Sequence, residues 1–144
     1  MKTVKQLLQA KAADIWTITP DARVYDALAL MADKNIGALL VVDAGRLVGI
    51  FSERDYARKV VLHGKSSRET PVREIMTTRV VYVRPEQTIE DCMALMTDKR
   101  IRHLPVIDGE RVMGVISIGD VVKSIISEQS FMIAQLENYI AGTR

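Results

Sequence analysis

Cysteine occurs once in the 144 residues, at Cys92, and histidine twice, at His63 and His103. A lone thiol excludes an internal disulfide and a cysteine-rich zinc centre, and it fits a reducing compartment. Two imidazoles cannot build a multi-histidine metal site, and neither sits in a constellation suited to general base or nucleophilic work. Aromatic residues are scarce, at 5%, and Trp16 and the methionines Met31, Met76, Met93, Met96 and Met113 fall on apolar positions that read as core. Charge of one sign is lacking too: 20 Lys+Arg against 18 Asp+Glu leave +2, which argues against a nucleic-acid or membrane-surface binder. No apolar run approaches the roughly 20 residues of a membrane span, and the opening residues lack the apolar core of a signal peptide. The remainder, 48% hydrophobic and 26% charged, is the balance of a folded globular chain, expected in the cytoplasm.

What the chain does have is repetition. Pro20 and Pro85, Gly49 and Gly114, and Asp55 and Asp120 are each separated by 65 positions. At that offset Asp26/Asp91, Met31/Met96, Ile36/Ile101, Asp43/Asp108 and Ser52/Ser117 are identical, and Val24/Ile89 and Val42/Ile107 are conservative changes. Internal repeats fix architecture before any finer reading. Two entry segments, Thr3 to Leu8 and Pro71 to Met76, echo each other at an offset of 68, so the connector into the first copy is three residues longer. Each copy predicts a short strand ending at a proline (Ile15 to Thr19; Val80 to Arg84), then an amphipathic helix carrying Val24, Ala27, Leu28 and Met31 or Ile89, Cys92, Met93 and Met96. A strand pair with a turn at Asp43 to Arg46 or Asp108 to Arg111 follows, and then a second helix. The expected fold is α+β, β-α-β-β-α twice, with N-terminal and C-terminal helices. The division is residues 1–68 and residues 69–144, joined by the polar linker Leu62 to Thr70. A unit of some 50 residues buries little surface alone, so the copies are expected to share a core with approximate twofold symmetry and two related clefts.

The segments Gly49-Ile50-Phe51-Ser52-Glu53-Arg54-Asp55 and Gly114-Val115-Ile116-Ser117-Ile118-Gly119-Asp120 put a hydroxyl and, three residues later, a carboxylate at a helix start. Two readings are open. Free amides at a helix N-terminus hold a phosphate, Ser52 or Ser117 donates to it, and the carboxylate accepts from the vicinal hydroxyls of a ribose. Alternatively Ser-x-x-Asp is a helix cap, worth about 0.5–2 kcal/mol with no ligand at all. Arg54, Arg58 and Lys59 near the first turn call for a nearby anion or are simply solvated. The apolar residues that run on through Val121, Ile125, Phe131, Met132, Leu136 and Tyr139 either dock on a second chain or pack over Val4, Leu7 and Leu8.

These duplicated segments, with Leu39-Leu40-Val41-Val42-Asp43, Leu104-Pro105-Val106-Ile107-Asp108 and Val72-Arg73-Glu74-Ile75-Met76-Thr77, resemble the cystathionine-β-synthase (CBS) domain, whose tandem pairs are called Bateman modules. The resemblance spans Val4 to about Ile126 and is closest to small stand-alone bacterial pairs. It implies a non-catalytic regulatory module binding adenine nucleotides (AMP, ATP or NAD(H)). Asp55 and Asp120 would take the ribose hydroxyls of two sites, and Ser52 and Ser117 the nearest phosphate. Thr19, Gly37 and Ala38 would complete the Asp120 cleft, and Arg84, Arg102 and His103 the Asp55 cleft. For His103 a phosphate contact and a packing role are both open. Arg54 stands where the second copy has Gly119, so the Asp55 site is expected to prefer more phosphate charge, as in ATP or a dinucleotide, and the Asp120 site AMP.

With no effector domain recognisable, output is expected in trans, through an unidentified effector protein, and the pair is expected to be a homodimer. No metal, nucleic acid or membrane is expected as partner. The alternative is a dimerisation scaffold with no ligand. A basic strip of Arg54, Arg58, Lys59, Lys65 and Arg68 for nucleic acid, and a nucleotide-converting enzyme, are the weaker rivals.

Overall fold

A computed structural model describes residues 2–11 and 14–141. Both copies follow the expected order of elements, except that the opening stretch of the second makes a single bridge and no strand. The first contains β1 (Thr17–Ile18), α2 (Val24–Lys34), β2 (Ala38–Asp43), β3 (Arg46–Ser52) and α3 (Glu53–Asp55), which runs on as a π-helical turn, Tyr56–Val61. The second contains α4 (Ile89–Lys99), β4 (His103–Asp108), β5 (Arg111–Ser117) and the 23-residue α5 (Ile118–Ile140). Ahead of the copies lie α1 (Val4–Lys11) and a 3-10 turn, Val72–Glu74.

The opening strands are shorter than the apolar runs predict. In the first copy β1 pairs parallel to β2 through Thr17 with Leu40 and Ile18 with Val41. In the second only one bridge remains, Val83 with Val106. Pro105 stands where the first copy has Leu40, and a residue without an amide hydrogen cannot add a rung to the ladder. β2 and β3 are antiparallel from Ala38 opposite Ser52 to Asp43 opposite Arg46, with a bulge between Val41 and Val42. Asn35 and Arg100, 65 apart, both end their helices in the left-handed conformation, donating back to Met31 and Met96.

Two compact units result, and they do not follow chain order. One holds Asp14–Val81 with Gly109–Val112; the other holds Met1–Ala13, Tyr82–Asp108 and Met113–Arg144. In the first, Val24, Ala27, Met31, Leu39, Val41 and Phe51 form the core with Val72 and Ile75 from the second entry segment. In the other, Ile89, Cys92, Met96, Leu104, Val106 and Ile116 are buried at the corresponding positions, with Val4 and Leu7 from α1. The segment before each copy thus seals the core of the other copy. Backbone bonds fix the arrangement: Val72 and Arg73 N–H donate to Ala22 and Pro20 carbonyls, while Val4 and Lys5 N–H donate to Gln87 and Pro85 carbonyls.

The helical faces read from the sequence are buried at Val24, Ala27 and Met31 and at Ile89, Cys92 and Met96, but Met93, read as core, is 43% exposed because it falls one position past the buried stripe. Cys92 is buried, and desolvation first, then the neighbouring charge of Asp91, pushes its thiol up to about 11, so it is inert at neutral pH. Trp16 packs half-buried against the core with Lys34 Nζ 4.2 Å from its ring centroid. The first turns of α5 bury Val121 and Ser124 against its unit, whereas residues 126–141 are exposed on every face.

Candidate functional site

Each Ser-x-x-Asp turn lies where a buried strand meets a helix. Phe51 and Ile116 are fully buried, which sets the next residue, Ser52 or Ser117, at the rim with extended backbone, ready to cap. In both copies the cap is complete. Asp55 N–H donates to Ser52 Oγ at 3.2 Å while Ser52 N–H donates to Asp55 Oδ2 at 3.0 Å. The second copy repeats it at 3.2 Å and 2.9 Å between Asp120 and Ser117. Reciprocal bonding of this kind satisfies amides that a helix start leaves without intrahelical partners.

An entry segment sits on each turn. Gly49 is tight against Met76: an added Cβ would come within 2.8 Å of Met76 Sδ and 3.0 Å of the Thr77 carbonyl oxygen. At Gly114 the same position is covered by Leu8, 2.9 Å from such a Cβ. Met76 and Leu8 are 68 apart, the offset of the entry segments, so the strand glycines are there to admit them.

Beyond the caps the carboxylates differ. Asp55 Oδ2 also accepts from Ser52 Oγ at 3.1 Å, and Oδ1 accepts from Thr77 Oγ1 and Lys59 Nζ, both at 3.1 Å. Four donors therefore meet two oxygens, filling the acceptor capacity of a carboxylate, and the side chain is 12% exposed. Lys59 also donates to the Ile75 carbonyl at 3.1 Å. Asp120 receives Lys11 Nζ on Oδ2 at 2.8 Å, the oxygen already taken by Ser117 N–H, and its side chain is 23% exposed. Lys11 makes a second bond, 2.9 Å, to the Val115 carbonyl. Burial works against ionisation of Asp120, but the bonds from Lys11 and Ser117 and the ammonium charge outweigh it and hold the carboxyl below its ordinary range.

The remaining residues singled out from sequence fall as follows. Gly37 and Ala38 lie beside Ser52, since the Gly37 carbonyl accepts from Glu53 N–H at 3.1 Å and Ala38 pairs with Ser52 across the sheet. Arg102 stands in the corresponding place, its carbonyl accepting from Ile118 N–H at 2.8 Å, with half-buried His103 next to it at the start of β4. Thr19, Arg54, Arg84 and Gly119 are exposed, and Arg84 N–H is held by Gln87 Oε1 at 2.8 Å. The basic strip is partly consumed internally: Lys59 pairs with Asp55, and the Arg68 guanidinium stacks 4.3 Å from the Tyr25 ring centroid. Sequence reasoning missed Lys11 and Thr77 as carboxylate partners. The i, i+4 spacing of Asp55 and Lys59 carried the signal for the third, since such pairs meet on a helix surface. Among the described residues no group of three or more His, Cys, Asp or Glu could hold a metal ion, and no helix is long and apolar enough to cross a membrane.

Comparison with known proteins agrees with this doubled architecture. The CBS domain family model matches residues 4–62 and again residues 72–127. The chain is 44% identical over 142 residues to the CBS domain-containing protein CBSX3, mitochondrial, of Arabidopsis thaliana, covering 93% of this chain and 68% of that protein. A solved structure of a CBS-domain protein from Burkholderia ambifaria is 56% identical with a TM-score of 0.86, over 89% of this chain and 96% of the other. The CBS domain pair of protein MJ0100, solved with 5-methylthioadenosine and S-adenosyl-L-methionine, is 25% identical with a TM-score of 0.78, over 89% and 98%. CBS domains are regulatory modules without catalysis of their own, and this chain, carrying two of them in tandem, belongs to the CBS-domain family.

Proposed function

We propose that the module binds adenine nucleotides (AMP, ATP or NAD(H)) at its two Ser-x-x-Asp turns and passes their level to an effector protein in trans. The observation that carries this reading is the Asp120 turn. There a carboxylate whose hydrogen bonds fall on Oδ2 stands at the start of a 23-residue helix beside the Ser117 hydroxyl. Oδ1 and the helix-end amides suit a ribose hydroxyl and a phosphate respectively. That the MJ0100 pair is solved with two adenosine-containing ligands supports the ligand class. Ser117, Gly119 and Asp120 would bind at this turn, and Ser52, Arg54 and Asp55 at the other, where a ribose hydroxyl has to displace Thr77 Oγ1 or Lys59 from Asp55 Oδ1. Arg54 directs extra phosphate charge to the Asp55 turn, so ATP or a dinucleotide is preferred there and AMP at Asp120. Thr19, Gly37, Ala38, Arg84, Arg102 and His103 are the further proposed contacts. Cytoplasmic placement fits the single buried thiol.

Partnering is proposed to be homodimeric through α5. Its exposed stretch presents Ile133, Leu136 and Ile140 at three- and four-residue spacings, and a helix of that length is marginal in water without a partner. A second copy meets it with the same apolar stripe, so light scattering is expected to report a dimer.

A melting series with AMP, ATP and NAD(H) tests the ligand reading. A ligand at 100 times its dissociation constant adds about 2.7 kcal/mol, a rise of several degrees, and Asp120→Ala is expected to abolish the AMP response. No shift with any of them overturns it. One observation favours the scaffold alternative: both turns are already complete capping boxes, which account for Ser and Asp without a ligand.

A further inference from the structure

The two carboxylates are neutralised by elements of different kinds. Lys59 sits one turn beyond Asp55 on the same helical segment, so its backbone stays beside the carboxylate and only its side chain can turn away. At the matching place in the second copy stands Ser124, buried, its hydroxyl without a hydrogen-bond partner. The ammonium is supplied instead by Lys11, the last residue of α1. This helix is only eight residues long and is seated through Val4, Leu7 and Leu8, and among the described residues its backbone bonds to the rest of the unit lie at its first turn. Its last turn is held to Asp120 and the Val115 carbonyl by one flexible side chain.

We propose that Lys11 is a removable plug on the Asp120 turn, so that nucleotide binding there competes with the docking of the last turn of α1. The proposal rests on the ribose-binding reading of Asp120. A vicinal diol bound in bidentate fashion needs an acceptor site on each carboxylate oxygen, and Oδ2 already accepts from both Ser117 N–H and Lys11. The cap bond to Ser117 belongs to the helix and stays; the lysine is the donor that can swing away. Binding and undocking are then linked, and each weakens the other by the same factor. The consequence is a signal that leaves the site through the backbone of α1.

Calorimetry with AMP on wild type, Lys11→Met and Lys11→Arg tests it, with Asp120→Ala as background. Methionine keeps the apolar stem of the side chain and removes its charge. AMP is expected to bind Lys11→Met about three- to fivefold more tightly than wild type, the range expected for freeing a partly exposed ion pair. Lys11→Arg should bind like wild type, and in the Asp120→Ala background the effect of Lys11→Met should vanish. Amide exchange at Gln9 to Lys11 should quicken when AMP is added to wild type. Equal or weaker binding by Lys11→Met, with wild type still binding, overturns the plug and leaves the nucleotide reading intact. If neither wild type nor Lys11→Met binds AMP, the nucleotide reading of this turn fails and the plug fails with it.

Discussion

At Asp55 the neutralising ammonium comes from four residues along the same helical segment; at Asp120 it comes from Lys11, 109 residues away in sequence. Much of the framework around the two turns is matched: the cap bonds, the strand glycine, the entry segment lying on it, and the buried residue preceding the serine. The difference shows how a duplicated unit gives its copies separate duties without changing the residues at its centre. A local ion pair and a part-buried threonine contact make the first turn a fixed joint. A remote ion pair makes the second turn a joint that can open.

The largest effect should come from removing the carboxylates themselves. Asp55→Ala leaves Thr77 Oγ1, Ser52 Oγ and the Ser52 amide without their acceptor, and urea unfolding is expected to show a loss of about 2–3 kcal/mol. Asp120→Ala loses a cap but leaves Lys11 able to reach water, for about 1–2 kcal/mol. Equal losses would erase the distinction between fixed and openable. Next come the glycines. Gly49→Ala must push on the Thr77 backbone as well as Met76 and is expected to cost about 1–3 kcal/mol. Gly114→Ala meets only the tip of Leu8, should cost less than half as much, and should quicken amide exchange in α1. A Gly114→Ala variant as unstable as Gly49→Ala would mean that α1 is seated as rigidly as its counterpart.

The smallest effect is a pH dependence. Asp120 is held below its ordinary value of 3.8 in the folded chain, so its contribution to stability is present above that value. It is lost as pH falls through the lower folded value, where the carboxyl takes a proton. The stability gap between wild type and Asp120→Asn should therefore be constant from neutral pH down to about the ordinary carboxylate range and narrow below it. A gap that persists unchanged into strong acid would show that Lys11 and Ser117 do not favour the ionised form.

Much of this was legible in the residues. The register of the two copies identified the core directly, because Val24/Ile89, Ala27/Cys92, Met31/Met96 and Phe51/Ile116 are buried in pairs. The Ser-x-x-Asp spacing announced caps, and caps were found. What the residues did not disclose was non-local. The echo between Thr3 to Leu8 and Pro71 to Met76 shows that both segments do one job, yet similarity cannot say which copy each of them serves. Lys11 stayed hidden for the same reason: nothing near it in sequence names a carboxylate as its target. The lost rung at Tyr82 was foreseeable from Pro105, but only once the register of the parallel pair was known.

The exchanged entry segments carry one last consequence, for attempts to divide the chain. Splitting the gene at the polar linker separates α1 from the hydrophobic surface it shields, and a fragment ending before Val72 loses the lid over Phe51 and Leu39. Each half would bare an oily face and clump or borrow the missing piece from its sibling. After this duplication neither half of the gene encodes a whole unit.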